Sequence, residues 1–326
     1  MSKLITRRTS IILGAAAIFA PNVARAQTKL PDRTLKLLVG FPAGGGTDVM
    51  ARLIVEPLKE MTGRNIIIEN KVGASGTIAG ATLKNSPPDG STICFMPSAT
   101  VAQKLSMVTV PFDPETDVAP ISLAGTLQTA FCVSPTIGVN TLDEYVAWLK
   151  KNPARASFGT TAMGSFTHFF GLMAGQAIGI PLEAVPYRGA NPLVGDLQGG
   201  HIAAGCGSIT DFIDHHRQGA VKILFTSGSK PPVSAPDLPT GTGLGYPSLN
   251  VMGWYGFFAP AKTPAGLIDV WARELHAVLK LAAVEKRLTE LGLEVETSTP
   301  AEFGHRLTSD LKRWKQIMDA IGYKPT

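Results

Sequence analysis

Apolar residues recur along this chain in two rhythms, short continuous runs and stripes at i, i+3, i+4, and most runs end in a loop rich in glycine, serine or threonine. Leu35 to Val39 predicts a strand. After the loop Phe41-Pro42-Ala43-Gly44-Gly45-Gly46-Thr47, the residues Val49, Met50, Leu53, Ile54, Leu58 and Met61 fall at helical spacing, and Pro57 is expected to kink that helix or end it a turn early. Asn65 to Glu69 predicts a second strand, and Gly73-Ala74-Ser75-Gly76-Thr77 leads into a helix that stops by Pro87-Pro88-Asp89-Gly90. The same rhythm resumes after residue 126 with the strand Ala130 to Val133. Thr141 and Glu144 predict a capping box for a helix through Lys150. Phe158 ends a strand, and Gly159 to Ser165 opens a helix carrying Phe169, Leu172 and Met173. Val185 to Gly189 predicts a turn, and Asn191-Pro192 starts a short helix ended by Gly199-Gly200.

This alternation is that of parallel α/β sheets in two similar halves. Pro231 to Pro247, dense in proline and glycine, predicts an irregular surface connection and a crossing between the halves. Beyond it, Trp254 to Phe258 predicts a strand. Thr263-Pro264 and Thr299-Pro300-Ala301-Glu302 cap helices expected to return onto the first half.

The amino end changes how the charge is read. Lys3, Arg7 and Arg8 precede an apolar run from Ile11 to Ala20 and the triplet Ala24-Arg25-Ala26, the pattern of a cleavable secretory signal over residues 1–26. The paired arginines also fit twin-arginine export, although the aromatic residue usual two places further on is missing. The expected location is therefore the periplasm. Those four cations have no acidic residue among them, so the formal charge of +5 falls to +1 in the mature chain. Without clustered Lys and Arg there is no electrostatic footprint for nucleic acid or an anionic membrane surface, and both are excluded as partners. A mature length of about 300 residues favours two domains. Cys94, Cys132 and Cys206 allow at most one disulfide and read most simply as buried small apolar side chains.

Several catalytic designs are excluded by spacing. There is no Gly-x-Ser-x-Gly elbow. The triple glycine has Val49 where the dinucleotide fingerprint needs glycine, and no Lys-Ser or Lys-Thr follows it as in a P-loop. His215 and His216 are adjacent, so they point to different faces, and no metal site or cofactor is expected. What remains is a set of Gly, Ser and Thr loops placed at strand ends before helices, where free amides and the helix dipole suit an anion. Gly44, Gly45 and Gly46 with Thr47 or Asp48 form one candidate cradle, and Gly164 with Ser165 another. Arg188 is either a fork for a carboxylate or a solvated arginine. His168 either donates to a ligand or is satisfied by its own loop, and Asp48 is first a cap and second a ligand-orienting group.

At these loops the sequence resembles the substrate-binding receptors of tripartite tricarboxylate transporters, the Bug-type family of periplasmic proteins. The resemblance is carried by Phe41 to Asp48, Glu69-Asn70-Lys71 with Gly73 to Gly76, Pro88-Asp89-Gly90 and Pro111-Phe112-Asp113-Pro114. It continues through Val185 to Gly189 with Asp196 to Gly200, and Trp254-Tyr255-Gly256 followed by Ala259-Pro260 and Thr263-Pro264. It implies a two-lobed α/β binding-protein fold of type II, each lobe a mainly parallel sheet flanked by helices, with two crossing segments. The first lobe would be residues 27–125 with 247–326 and the second 126–246. It also implies a monomeric, non-enzymatic receptor that captures a small carboxylate and docks transiently on transporter membrane subunits. The ligand residues carried over are Phe41, Ala43, Gly44, Gly45, Gly46 and Asp48 on one lobe and Thr160, Thr161, Gly164, Ser165, His168, Arg188 and Gly189 on the other, with Ser98 added. Gly243 stands where the family usually has an acid, so the contacts of that carboxylate near the crossing are missing. The rival readings are a carboxylate sensor for a membrane kinase and an enzyme using His168 and Asp48 as acid and base.

Overall fold

The computed structural model describes residues 29–161, 163–320 and 322–325, so the expected signal, residues 1–26, lies outside the described residues. In the first half, β1 (Leu35–Val39) lies between β2 (Ile66–Asn70) and β3 (Thr92–Pro97), parallel to both. The connection from β1 to β2 is α1 (Gly46–Thr62), which buries Met50, Ile54 and Leu58 in the core beneath the sheet. The helix neither stops at Pro57 nor a turn before it; it continues to Thr62 and ends at Gly63 in the left-handed conformation. Proline there removes one hydrogen bond, worth about 1 kcal/mol net. Each large apolar side chain on the buried stripe contributes about 1.5–3 kcal/mol, so packing wins. Met61, though on the expected stripe, is exposed. Two further helices, α2 (Thr77–Lys84) and α3 (Ser98–Ser106), precede the long strand β4 (Val118–Leu127).

The second half opens with β5 (Thr129–Val133) and α4 (Leu142–Lys151). The Thr141 hydroxyl accepts from the Glu144 amide at 3.2 Å, while the Glu144 carboxylate reaches the Asn140 amide at 2.6 Å, one residue upstream of the expected box. There follow β6 (Ser157–Thr160), α5 (Phe166–Ala177), β7 (Glu183–Pro186), α6 (Ala190–Gln198), β8 (Ala204–Ser208), α7 (Ile209–Arg217) and β9 (Lys222–Thr226). Phe131, Phe158, Phe169, Phe170 and Phe225 fill a separate core on this sheet. The chain then returns to the first half through β10 (Gly253–Pro260), α8 (Ala265–Leu279), α9 (Ala282–Glu290), β11 (Leu293–Val295) and α10 (Pro300–Ala320).

The two sheets have strand orders β11-β4-β10-β3-β1-β2 and β7-β6-β8-β5-β9. Most strands of each sheet run one way, as expected, but both sheets are mixed, because β10 is antiparallel to β3 and β4, β11 to β4, and β5 to β8 and β9. The reason lies in the connections between halves. β5 and β10 each enter their sheet straight from the other half and run away from the cleft, whereas β1, β3, β6 and β8 end there.

The first crossing is Gln128, between β4 and β5. The segment 231–247 is irregular as expected, but it folds back on the second sheet: Thr240 bridges Thr226, and Leu238 is buried with that half. Leu249 and Val251 also sit in the second half's core, so the return to the first sheet comes at Met252 and Gly253. Gly243, in place of the family acid, donates its amide to the Thr240 hydroxyl at 2.9 Å, and the Thr242 hydroxyl donates to the Gly228 carbonyl at 2.9 Å.

The terminal helices pack on the first half with one exception. At 1.5 Å per residue α10 is about 30 Å long, and its last turns reach the second core, where Trp314 and Met318 are buried and Tyr323 lies edge-on to Phe169 at 4.9 Å. The three cysteines are buried and unpaired.

Candidate functional site

A cavity of about 230 Å³ lies where the two sheets face each other. Its walls come from five strand-to-helix junctions: Gly45, Gly46 and Thr47 at α1, Pro97 and Ala99 at α3, Thr167 at α5, Gly189 to Pro192 at α6, and Ser208 and Asp211 at α7. Each of these helices points its amino end at the same space, so five partial positive charges converge there. At α1, α3 and α6 the cap residues are Gly45, Pro97 and Gly189, which carry no side-chain acceptor. The first amides of these helices therefore remain available to a guest. The apolar part of the wall is Phe41, Pro42, Leu127, Pro192, Trp254 and Tyr255. An adjoining outer chamber of about 490 Å³ is lined by Phe41, Val72 to Gly76, Thr161, Met163 and Arg188.

Arg188 borders both chambers and is exposed. Among the described residues no carboxylate pairs with it. It is the one cation in either wall, so an anion entering the cleft meets an unspent guanidinium. The Thr47 and Tyr255 hydroxyls share a hydrogen bond at 2.9 Å, joining the start of α1 to β10.

Of the residues expected from sequence, Phe41, Gly45, Gly46, Thr161, Arg188 and Gly189 line the cavity. Ala43 and Gly44 are exposed on the first loop and line neither chamber; Gly44 makes the turn, at φ 79°. Asp48 is buried beneath that loop. Its carboxylate accepts from the Gly44 amide at 2.8 Å, Asn70 Nδ2 at 2.8 Å, and Arg52 Nε and Nη2 at 2.8 and 3.0 Å. Asn70 Nδ2 also holds the Phe41 carbonyl at 3.0 Å. Burial alone would raise the Asp48 pKa, but the hydrogen bonds from Arg52, Asn70 and Gly44 hold it below the ordinary 3.8. Asp48 thus ties the loop down and lines neither chamber.

On the opposite side, Thr160 is buried at the end of β6, where its carbonyl accepts from the Tyr187 amide. Gly164, at φ 71°, packs against Ser106 of the first half, where a Cβ would lie 2.6 Å from the Ser106 hydroxyl. Ser165 hydrogen-bonds Thr167 at 2.8 Å, and Thr167 is the member of that pair that lines the cavity. His168 accepts from the Gly164 amide at 3.2 Å and is buried against Phe158, Phe169 and Tyr323. Burial lowers its pKa to about 4, so it is neutral at physiological pH. Ser98 accepts from the Trp254 amide at 3.2 Å, an internal tie of the first half. The enzymatic pairing of His168 with Asp48 has no geometric support, since neither lines the cavity and each is enclosed in a different half.

The cavity also holds Thr47, offered by the sequence as a cap of the first cradle, and polar residues not proposed as ligands from sequence: Asn191, Ser208, Asp211 and Tyr255. Ser208 and Asp211 form a capping box on α7, and the Ser-x-x-Asp spacing was a readable signal for it. Asp211 Oδ2 accepts from the Ser208 amide at 3.2 Å. Desolvation pushes the Asp211 pKa up to about 7. The outer loop Val72 to Gly76 was legible as a glycine turn but not as a wall; Ala74 and Ser75 there adopt φ 45° and 54°, a conformation that L residues rarely hold without support. The Thr100 hydroxyl supplies that support, donating to the Ser75 carbonyl at 2.9 Å. Among the described residues no group of three His, Cys, Asp or Glu could hold a metal ion.

A two-sheet α/β body with anion-receptive helix ends around one interior cavity is the build of a periplasmic solute-binding protein. Residues 50–323 match the model of the tripartite tricarboxylate transporter family receptor, and the chain belongs to that family. BugT of Bordetella pertussis is 29% identical over 96% of both chains. Among solved structures, the periplasmic binding protein BugD superposes with a TM-score of 0.85 at 28% identity, covering 91% of this chain and 100% of that one. MatC from Rhodopseudomonas palustris, solved with bound malate, gives 0.81 at 26% identity over 88% and 99% of the two chains. An R. palustris protein solved with adipate gives 0.87 at 25% identity over 91% and 100%. The family and these relatives are binding receptors, not enzymes.

Proposed function

We propose that this protein captures a small carboxylate in the cavity between its two sheets and delivers it to the membrane subunits of a tripartite tricarboxylate-type transporter. The observation that carries the reading is the convergence of five helix amino ends and the unpaired Arg188 on one space. Relatives solved with malate and adipate support the carboxylate class. The contacts proposed for it are the Arg188 fork and the free amides at Gly46 and Gly189, on opposite sides of the cleft. A guest touching both sides favours the closed arrangement by its differential affinity for it. Each amide or charge-assisted hydrogen bond contributes about 1–3 kcal/mol net, so four or five, less the cost of association, reach micromolar affinity or better.

The lobes proposed to close are the bodies of the two sheets, divided near Gln128 and Met252, and the exported, monomeric mature form is the proposed working species. A thermal-shift screen of carboxylic acids on that form identifies the guest, since a ligand at a hundred times its dissociation constant stabilises by about 2.7 kcal/mol. Arg188→Ala should then weaken the cognate acid at least tenfold by calorimetry. Unchanged affinity would remove Arg188 from the site, and no response to any organic anion would remove the proposal.

A further inference from the structure

The cavity contains one cation and one acid, Arg188 in the loop before α6 and Asp211 in the first turn of α7. Asp211 is spent on one side only. Its Oδ2 accepts the Ser208 amide, while Oδ1 has no hydrogen-bond partner among the described residues. That oxygen faces the first half across the cleft, 3.4 Å from where a side chain on Gly46 would begin. The titratable groups that feel Asp211 are Tyr255 and Cys132, both kept neutral because burial pushes their pKa values up. Arg188 is the one cationic side chain in the wall, so a second carboxylate on the guest would find no side-chain cation of its own and an acid already in place. A guest hydroxyl or ammonium would find an unused acceptor.

Resting on the carboxylate reading above, we propose that Asp211 makes this receptor selective for a monocarboxylate that carries a hydrogen-bond donor, a hydroxyl or an ammonium, away from its carboxylate, and that it discriminates against diacids. The carboxylate lies at Arg188 and the free helix amides. The donor reaches Asp211 Oδ1, and the carbon frame between them packs on Phe41, Leu127, Pro192 and Trp254. Discrimination arises because a site built around a buried acceptor leaves that acceptor unpaired, or opposed by like charge, when the guest lacks a donor.

The test is calorimetric titration of the mature protein above neutral pH, where the Asp211 carboxyl is ionised. Two carbon frames serve: adipate, 6-hydroxyhexanoate, 6-aminohexanoate and hexanoate, and terephthalate, 4-hydroxybenzoate, 4-(aminomethyl)benzoate and benzoate. On a frame that fits, a donor-bearing acid should bind at least tenfold tighter than the diacid, and Asp211→Asn should shrink that ratio to threefold or less. A diacid that binds as tightly as its donor-bearing counterparts, or a ratio that survives in Asp211→Asn, overturns the inference. The wild-type ratio needs no variant, so poor folding of Asp211→Asn leaves the test intact. Hexanoate and benzoate separate the two levels of the argument. If they bind and the diacids bind equally well, only the role of Asp211 falls; if no acid on either frame binds, this inference falls, and the carboxylate reading falls with it only when the wider screen of organic anions also gives no response.

Discussion

Removing the carboxylate of Asp48 should loosen the first glycine loop and weaken ligand binding without touching the ligand. Four hydrogen bonds end on this carboxylate, but they are not equal in consequence. Arg52 is 52% exposed and returns to water when its partner is lost, so its two bonds contribute as a surface pair does, at most about 1 kcal/mol. Asn70 Nδ2 and the Gly44 amide are the ties that matter, because one side chain then holds both ends of the loop: Asn70 also grips the Phe41 carbonyl. Two hydrogen bonds to a buried charge, each worth about 1.5 kcal/mol or more, place the loss for Asp48→Ala at about 3 kcal/mol. Arg52→Ala should lose under about 1 kcal/mol. Because the Asp48 pKa is depressed in the folded state, its contribution is present above the ordinary 3.8 and is lost as pH falls through the folded value, so the gap to wild type should close in acid. Each freed loop residue must be reordered on binding at about 1 kcal/mol, which predicts at least a tenfold weaker affinity. Urea denaturation and calorimetry on the two variants decide it. Equal losses for Arg52→Ala and Asp48→Ala, or an Asp48→Ala protein with wild-type affinity, would refute the reasoning.

Two further outcomes follow from the same contacts. His168 is held neutral with its pKa lowered to about 4 from 6.5, so the folded state binds fewer protons than the unfolded one in that window, and stability should fall by about 3 kcal/mol as pH drops from 6.5 to 4; denaturation curves of His168→Gln should lose that slope, and an unchanged slope would place the titration elsewhere. Gly46 faces α7 so closely that a Cβ would lie 3.3 Å from the Thr210 hydroxyl and 3.4 Å from Asp211 Oδ1, so Gly46→Leu should hold the halves apart, weaken the ligand at least tenfold and leave the ligand-saturated radius of gyration above that of wild type by X-ray scattering; coincident scattering and affinity would show that the contact does not limit closure.

What the sequence disclosed and what it withheld divide along the range of the interactions concerned. A strand that ends in glycine and opens a helix is a local arrangement, written in consecutive residues, and it located β1, α1, β6, α5 and the start of α6 within a residue or two. The family resemblance, carried on those same loops, offered Phe41, Gly45, Gly46, Thr161, Arg188 and Gly189, and these line the cavity. The direction of a polar side chain inside such a loop is another matter. Asp48 and His168 both sit in the first turn of a helix at a loop of interest, and both turn back under their own loop, where Asn70 and Gly44 in one case and Phe158 and Tyr323 in the other receive them. Asn70, Phe158 and Tyr323 lie on other elements, so no spacing announces them. The sheet order was hidden for the same reason, since β10 comes to lie between β3 and β4 only because the chain has first built the whole second half. Asp211 stands between these cases. Its capping box with Ser208 is local and legible, but its approach to Gly46 depends on two helices that belong to opposite sheets. The loops that make a cleft are therefore readable one at a time, whereas the group that selects a guest is defined only when two of them meet.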